Sequence, residues 1–188
     1  MISERPVIGP HCRLVASATQ LPEEVLELRY ELTNTSGKPL YLFNKLARLG
    51  GASVFDTDPN AANIVLYPDR VTIGKTLIPV PGGKEVERAY VPGLSRLAPG
   101  AKLAETMRLP CPLAPFTWYA GRPMRSAPVS RAVVFELGYV LASPEVEQAI
   151  RLIDTPDGRT YAASWFPPGL QHVISSAHLL ETLVLSAR

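Results

Sequence analysis

Cysteine, histidine and charge are all scarce in this chain. Its 188 residues include 2 cysteines and 3 histidines, and 19% of them are charged. Two cysteines make neither the disulfide framework of a small secreted domain nor the CxxC pairs of a structural zinc site. The histidines, His11, His172 and His178, stand in no HExxH arrangement and read as three unrelated surface or rim residues. Charge of one sign does not gather: 19 Lys and Arg offset 17 Asp and Glu, for a net charge of +2. A nucleic-acid groove needs a basic stripe, so nucleic acid is not an expected partner. No apolar run approaches the ~18 residues of a membrane span. The opening Met1-Ile2-Ser3-Glu4-Arg5-Pro6 also lacks the basic flank and apolar stretch of a secretory signal. The expected location is the cytoplasm, or the periplasm or exterior if a leader has been removed.

Proline and apolar residues are what the chain does have. With 46% hydrophobic residues it has ample material for one core, and disorder is not expected. A chain of this mass buries roughly 70% of its extended surface on folding, enough for one domain spanning residues 1–188 without metal or disulfide support. The 19 prolines argue against coiled coils and helical bundles.

The apolar spacing is that of strands. From Glu24 to Thr33, Leu26, Leu28, Tyr30 and Leu32 alternate with Glu27, Arg29, Glu31 and Thr33, which predicts a half-buried antiparallel strand. The cluster Asn34-Thr35-Ser36-Gly37-Lys38-Pro39 then turns the chain into Leu40 to Phe43. A shorter strand is expected over Arg13 to Thr19. Short apolar runs at Ala52 to Phe55, Ile64 to Tyr67, Val71 to Val80 and Val86 to Val91 are punctuated by turn residues, as in a sandwich or barrel. Pro79 and Pro81 cannot donate to a ladder, so that stretch should leave the sheet. Lys102 to Leu109 is another expected strand, and Arg131 to Leu141, apolar on both faces, should be central and covered on both sides. Ser143-Pro144-Glu145 has the order of an N-cap, first helical position and first-turn acid, predicting a short helix to about Ala149. Thr155 to Arg159 has hairpin-turn composition, and Leu170 to Ser175 and Leu179 to Leu185 complete nine to eleven strands.

Most catalytic signatures fail on inspection. Ile73-Gly74-Lys75-Thr76 imitates the end of a phosphate-binding loop, but Asp69 occupies the position where the loop's first glycine must bring backbone amides to the phosphate. Asp56-Thr57-Asp58-Pro59-Asn60 has calcium-loop spacing, yet Ala61 replaces the turn glycine and Tyr67 the closing glutamate. A looser cation site there remains an alternative to ordinary turn chemistry. There is no G-x-S-x-G elbow, and Cys111 lies between prolines with no flanking cation to lower its pKa. Cys12 and Cys111 are read as thiols in a reducing compartment, with a bridge as the alternative.

The unusual segment is Pro110 to Pro128. It combines prolines with Phe116, Trp118, Tyr119, Arg122 and Arg125. Loops this long are usually functional or disordered, and Trp, Tyr and Arg are the types enriched at interaction hot spots. Proline stiffening lowers the ordering cost of binding. The competing reading is a crossover whose aromatics cap one end of a sandwich. Trp165-Phe166-Pro167-Pro168-Gly169 has a similar character and is placed at the same end.

The strand into Leu32-Thr33-Asn34-Thr35-Ser36-Gly37-Lys38-Pro39-Leu40, followed later by Leu97-Ala98-Pro99-Gly100 and another strand, resembles bacterial immunoglobulin-like sandwiches, including the intracellular proteinase-inhibitor group. The resemblance implies the fold. No inhibitory-loop residue of that group has a counterpart here, and residues 47–92 and the tail after Ala142 lie outside the pattern.

The expectation is therefore an all-β protein: a single antiparallel, immunoglobulin-like β-sandwich with at most one short helix. Its expected function is that of a non-catalytic module binding a protein partner through Phe116, Trp118, Tyr119, Arg122 and Arg125, with no cofactor, metal or catalytic residue. The alternatives are a sandwich binding a small ligand or cation, through the Asp56–Asn60 loop or the histidines, and an enzyme on a β scaffold.

Overall fold

Alternation along each strand decides which face meets the core. The computed structural model describes residues 5–119 and 129–185. Strands β1 (Val7–Ile8), β2 (Cys12–Leu21), β3 (Val25–Asn34) and β8 (Lys102–Pro110) form a four-stranded antiparallel sheet in the order β1-β2-β3-β8. Cys12, Leu14, Ala16 and Ala18 of β2 point inward with Leu26, Leu28, Tyr30 and Leu32 of β3, while Arg29 faces solvent and, with Arg108, covers Glu27 on the other face. Opposite lies the larger sheet. It contains β4 (Leu40–Lys45), β5 (Asn63–Leu66), β6 (Arg70–Lys75), β7 (Gly93–Leu97), β9 (Val129–Leu141), β10 (Ile150–Thr155) and β11 (Gly158–Ala163) in the order β10-β11-β7-β4-β9-β6-β5. Strands β12 (His172–Ser175) and β13 (Leu180–Leu185) also pair with β9. The two sheets make the expected all-β sandwich.

Strand β9 is central and covered on both faces. Val133, Phe135, Leu137 and Tyr139 pack between the sheets, whereas Val140 packs into a second cluster with Tyr41, Phe43, Leu94, Val146 and Phe166. Val146 belongs to helix α1 (Pro144–Ala149). Ser143 caps that helix as its sequence predicts, its hydroxyl oxygen accepting the Val146 N–H at 3.2 Å.

Several expectations need correction. The larger sheet is not wholly antiparallel: β6 runs parallel to β9, from Arg70 opposite Ala132 to Lys75 opposite Leu137. The long connection through β7 and β8 makes this pairing possible. Ala52 to Phe55 and Val86 to Val91 are loop segments, and the short β7 takes the place of the latter in the sheet. Cys12 and Cys111 are free thiols as expected, the first buried in the core.

The two turn motifs meet at Asn34. Its side-chain amide donates to Lys38 O at 2.8 Å and Leu97 O at 3.0 Å, and its Oδ1 accepts the Ser36 N–H at 2.9 Å. The Gly100 N–H also donates to Asn34 O at 2.9 Å. One fully buried asparagine thus joins β3, the turn into β4, and the β7–β8 turn. Gly138 has a different purpose. The Gln171 amide accepts the Leu77 N–H at 2.7 Å and donates to Leu77 O at 3.0 Å, and a Cβ on Gly138 would lie 2.3 Å from its Oε1. Only a glycine leaves room for that side chain to imitate strand pairing.

A polar group interrupts the apolar interior. Following the alternation of Val71 and Ile73, Lys75 points between the sheets and is 1% exposed. Its ammonium donates to Glu105 Oε2 and to Pro59 O, each at 3.0 Å. The Tyr30 hydroxyl donates to Glu105 Oε2, and the Asn44 amide to Oε1 at 2.6 Å. Burial pushes the Lys75 pKa down, opposed by the neighbouring carboxylate.

Candidate functional site

The proline-rich segment first closes a sheet edge. Phe116 and Ile64 exchange backbone hydrogen bonds, the Phe116 N–H donating at 2.8 Å and the Ile64 N–H at 2.7 Å. Strand β5 ends its sheet, so the half-buried Phe116 segment occupies hydrogen-bonding groups that an open edge would expose. The chain then passes Thr117 and places Trp118 outward and Tyr119 inward.

Tyr119 anchors this arrangement. It is buried with Tyr90 and Ala47, its hydroxyl accepts the Tyr90 N–H at 2.7 Å, and its carbonyl accepts from the Lys84 ammonium. The Tyr90 hydroxyl in turn accepts the Ala47 N–H at 2.7 Å. Burial pushes the Tyr90 pKa up to about 12. Tyr119, expected from sequence to touch a partner, is 7% exposed and has its polar groups engaged by Tyr90 and Lys84.

Trp118 is different. It is 36% exposed and lies flat on the Tyr90 ring, with centroids 4.0 Å apart and planes inclined by 17°. The stacked pair borders an open cleft of about 530 Å³. Phe55 and Val54 come from the 51–58 loop, Gln148 from α1, Arg151 and Ile153 from β10, and Ser164 from the stretch leading to Trp165. Arg88 supplies a second cation. Among the described residues, no carboxylate lines the cleft and none forms an ion pair with Arg88 or Arg151. Trp118 stands out in the sequence by the composition of its segment, whereas both arginines come from distant segments with unremarkable neighbours. Arg122 and Arg125 lie outside the described residues. Ser164 brings the Trp165 segment to this end of the fold, while Phe166 turns inward against Phe43 at 5.7 Å between centroids.

The acidic loop is engaged internally. Arg48 Nε donates to Asp56 Oδ1 at 3.2 Å, and the Arg48 guanidinium lies 4.0 Å from Asp58 Oδ2. Asp58 Oδ1 accepts the Asn60 N–H at 2.9 Å, while Asn60 Oδ1 accepts the Arg108 N–H at 2.8 Å. These oxygens converge on protein donors.

The histidines do not remain three separate residues. His178 borders a shallow depression beside Asp69 and Arg70. His11, in the β1–β2 turn, meets His172, at the start of β12, with ring centroids 4.9 Å apart. The Tyr139 hydroxyl lies 3.3 Å from His11 Nδ1, and its ring stacks on His172 at 5.4 Å. Burial and then the His172 charge hold the His11 pKa below its ordinary value. Among the described residues, no group of three or more His, Cys, Asp or Glu side chains is placed to hold a metal ion.

Against this geometry, comparison with protein-family models, curated proteins and solved structures finds no match to the chain.

Proposed function

We propose that this protein is a non-catalytic binding module of immunoglobulin-like sandwich type, and that the Trp118 cleft receives a segment of a protein partner. The observation that carries this reading is the exposed indole held flat on Tyr90 at the border of a concave surface. A rigid aromatic already in place offers contact area with little ordering cost, the economy found at interaction hot spots. The burial of Tyr119 behind it supports the same reading, because it holds the main chain on which Trp118 is presented. The free thiols of Cys12 and Cys111 suit a cytoplasmic setting. No described helix is long and apolar enough to cross a membrane. The immunoglobulin-like assignment draws support from Asn34, which ties together the two turn motifs that carry the resemblance.

Selection of peptides from a displayed random library against the immobilised protein tests the proposal. Enriched peptides should lose at least about tenfold in affinity for a Trp118→Ala variant of unchanged fold. Binders that ignore this substitution would place the partner surface elsewhere. A small-ligand reading is favoured by the cleft volume, which falls in the range of small-molecule sites. It predicts that low-molecular-weight compounds, rather than peptides, raise the melting midpoint in a Trp118-dependent manner.

A further inference from the structure

Two imidazoles from different sheets stand together. His11 is held by the smaller sheet: its carbonyl accepts the Thr35 N–H at 3.0 Å, and the neighbouring Gly9 N–H donates to Cys12 O at 2.8 Å. The turn is packed directly on β12, since a Cβ on Gly9 would lie 3.3 Å from Ile174 Cδ1. His172 is held by the larger sheet through its position opposite Tyr139 in the β12–β9 ladder. The two rings lie 4.9 Å apart at 66°. His11 is half-buried and His172 exposed, so the pair is open to solvent.

We propose that His11 and His172 form a binding site for a divalent transition-metal cation of the zinc and copper class, joining the two sheets. Imidazole nitrogens bind such ions at about 2.0–2.1 Å, so two rings sharing one tetrahedral ion have centroids about 5 Å apart. The observed 4.9 Å already matches that spacing. Tyr139 supplies the outer support that metal-binding histidines commonly have: its hydroxyl engages His11 Nδ1, leaving Nε2 as the ligating atom. With two protein ligands, water completes the coordination. Copper should bind more tightly than zinc, following the general order of divalent affinities for nitrogen sites.

The test uses the full chain, stripped with a chelator and dialysed, and titrated with zinc or copper ions alone. Binding should saturate at one equivalent. A hundredfold excess over the dissociation constant should raise the melting midpoint by about 5–10 °C. His11→Gln and His172→Gln should each abolish the saturable step and the shift, whereas His178→Gln should leave both intact. The copper form should show nitrogen ligation by electron paramagnetic resonance, lost in the first two variants. Absence of saturable binding in the unaltered protein overturns the proposal, as does binding that survives both His11→Gln and His172→Gln. Folding of the variants is checked independently by circular dichroism.

Discussion

The Lys75 ammonium lies 3.0 Å from the Glu105 carboxylate between the two sheets, and the partners are unequally buried: the lysine side chain is 1% exposed and the glutamate 28%. Removing either one should therefore not cost the same. In Glu105→Ala, a cation without access to water keeps only the Pro59 carbonyl, and the Tyr30 and Asn44 donors lose their acceptor. Breaking a buried pair in this way typically costs about 3–5 kcal/mol. Lys75→Met removes the charge that is costly to bury and leaves Glu105 with two donors and partial solvent contact. Its cost should stay below about 2 kcal/mol. Urea unfolding of both variants measures the difference. Equal losses, or a larger one for Lys75→Met, would contradict this account of the pair.

Asn34→Ala should destabilise the fold by about 2–3 kcal/mol, because it leaves the Leu97 carbonyl without its amide donor in a buried setting and frees the Ser36 turn. Asn34→Asp should fare no better. It has the acceptor for Ser36 but no N–H for Lys38 or Leu97, and it adds a charge at a fully buried position. Thermal melts of the two variants should both fall, and an unchanged Asn34→Asp would mean that the amide donor is unimportant.

What could be read from sequence follows the range of the interaction involved. Strand β3 was evident because one face meets the core and the other meets water, and α1 because its cap, proline and acids are contiguous. The double coverage of β9 showed in apolar residues on both its faces, Val133, Phe135 and Leu137 on one and Val134 and Val140 on the other. Its parallel pairing with β6 did not, since the partner is set by a crossover with no local signature. Nothing beside Lys75 in the sequence signals its inward position, which only the facing Glu105, Tyr30 and Asn44 make tolerable. The proline-rich segment stood out by composition. Which of its aromatics is presented and which is buried depends on Tyr90, whose ring supports Trp118 while its N–H holds Tyr119.

That division between neighbours makes opposite forecasts. Trp118→Ala should weaken peptide capture by about tenfold or more and lower stability by no more than about 1–2 kcal/mol, since the indole is partly in water already. Tyr119→Phe should leave Trp118 exposed but orphan the Tyr90 N–H, costing about 1–3 kcal/mol. Binding titrations and urea midpoints on the two variants separate contact from positioning. A stability loss larger for Trp118→Ala than for Tyr119→Phe would reverse the roles given to these residues.

Alkali should unfold the protein partly through Tyr90. The folded state holds its phenol neutral to about 12, whereas the unfolded chain ionises it near 10.0. A folded pKa above the unfolded value means that the native state keeps its proton longer, so the contribution is complete below pH 10.0 and is lost as pH rises toward 12. A displacement of this size corresponds to about 2–3 kcal/mol. Burial shifts Tyr30 and Tyr139 in the same direction, while Lys75, pushed down, acts in the opposite one. Tyr90→Phe isolates the residue of interest. The variant starts less stable, because the Ala47 N–H loses its acceptor, but its stability should fall less steeply across this interval. Urea midpoints taken at successive alkaline pH values give both slopes, and parallel slopes would show that Tyr90 does not titrate in the way its burial requires.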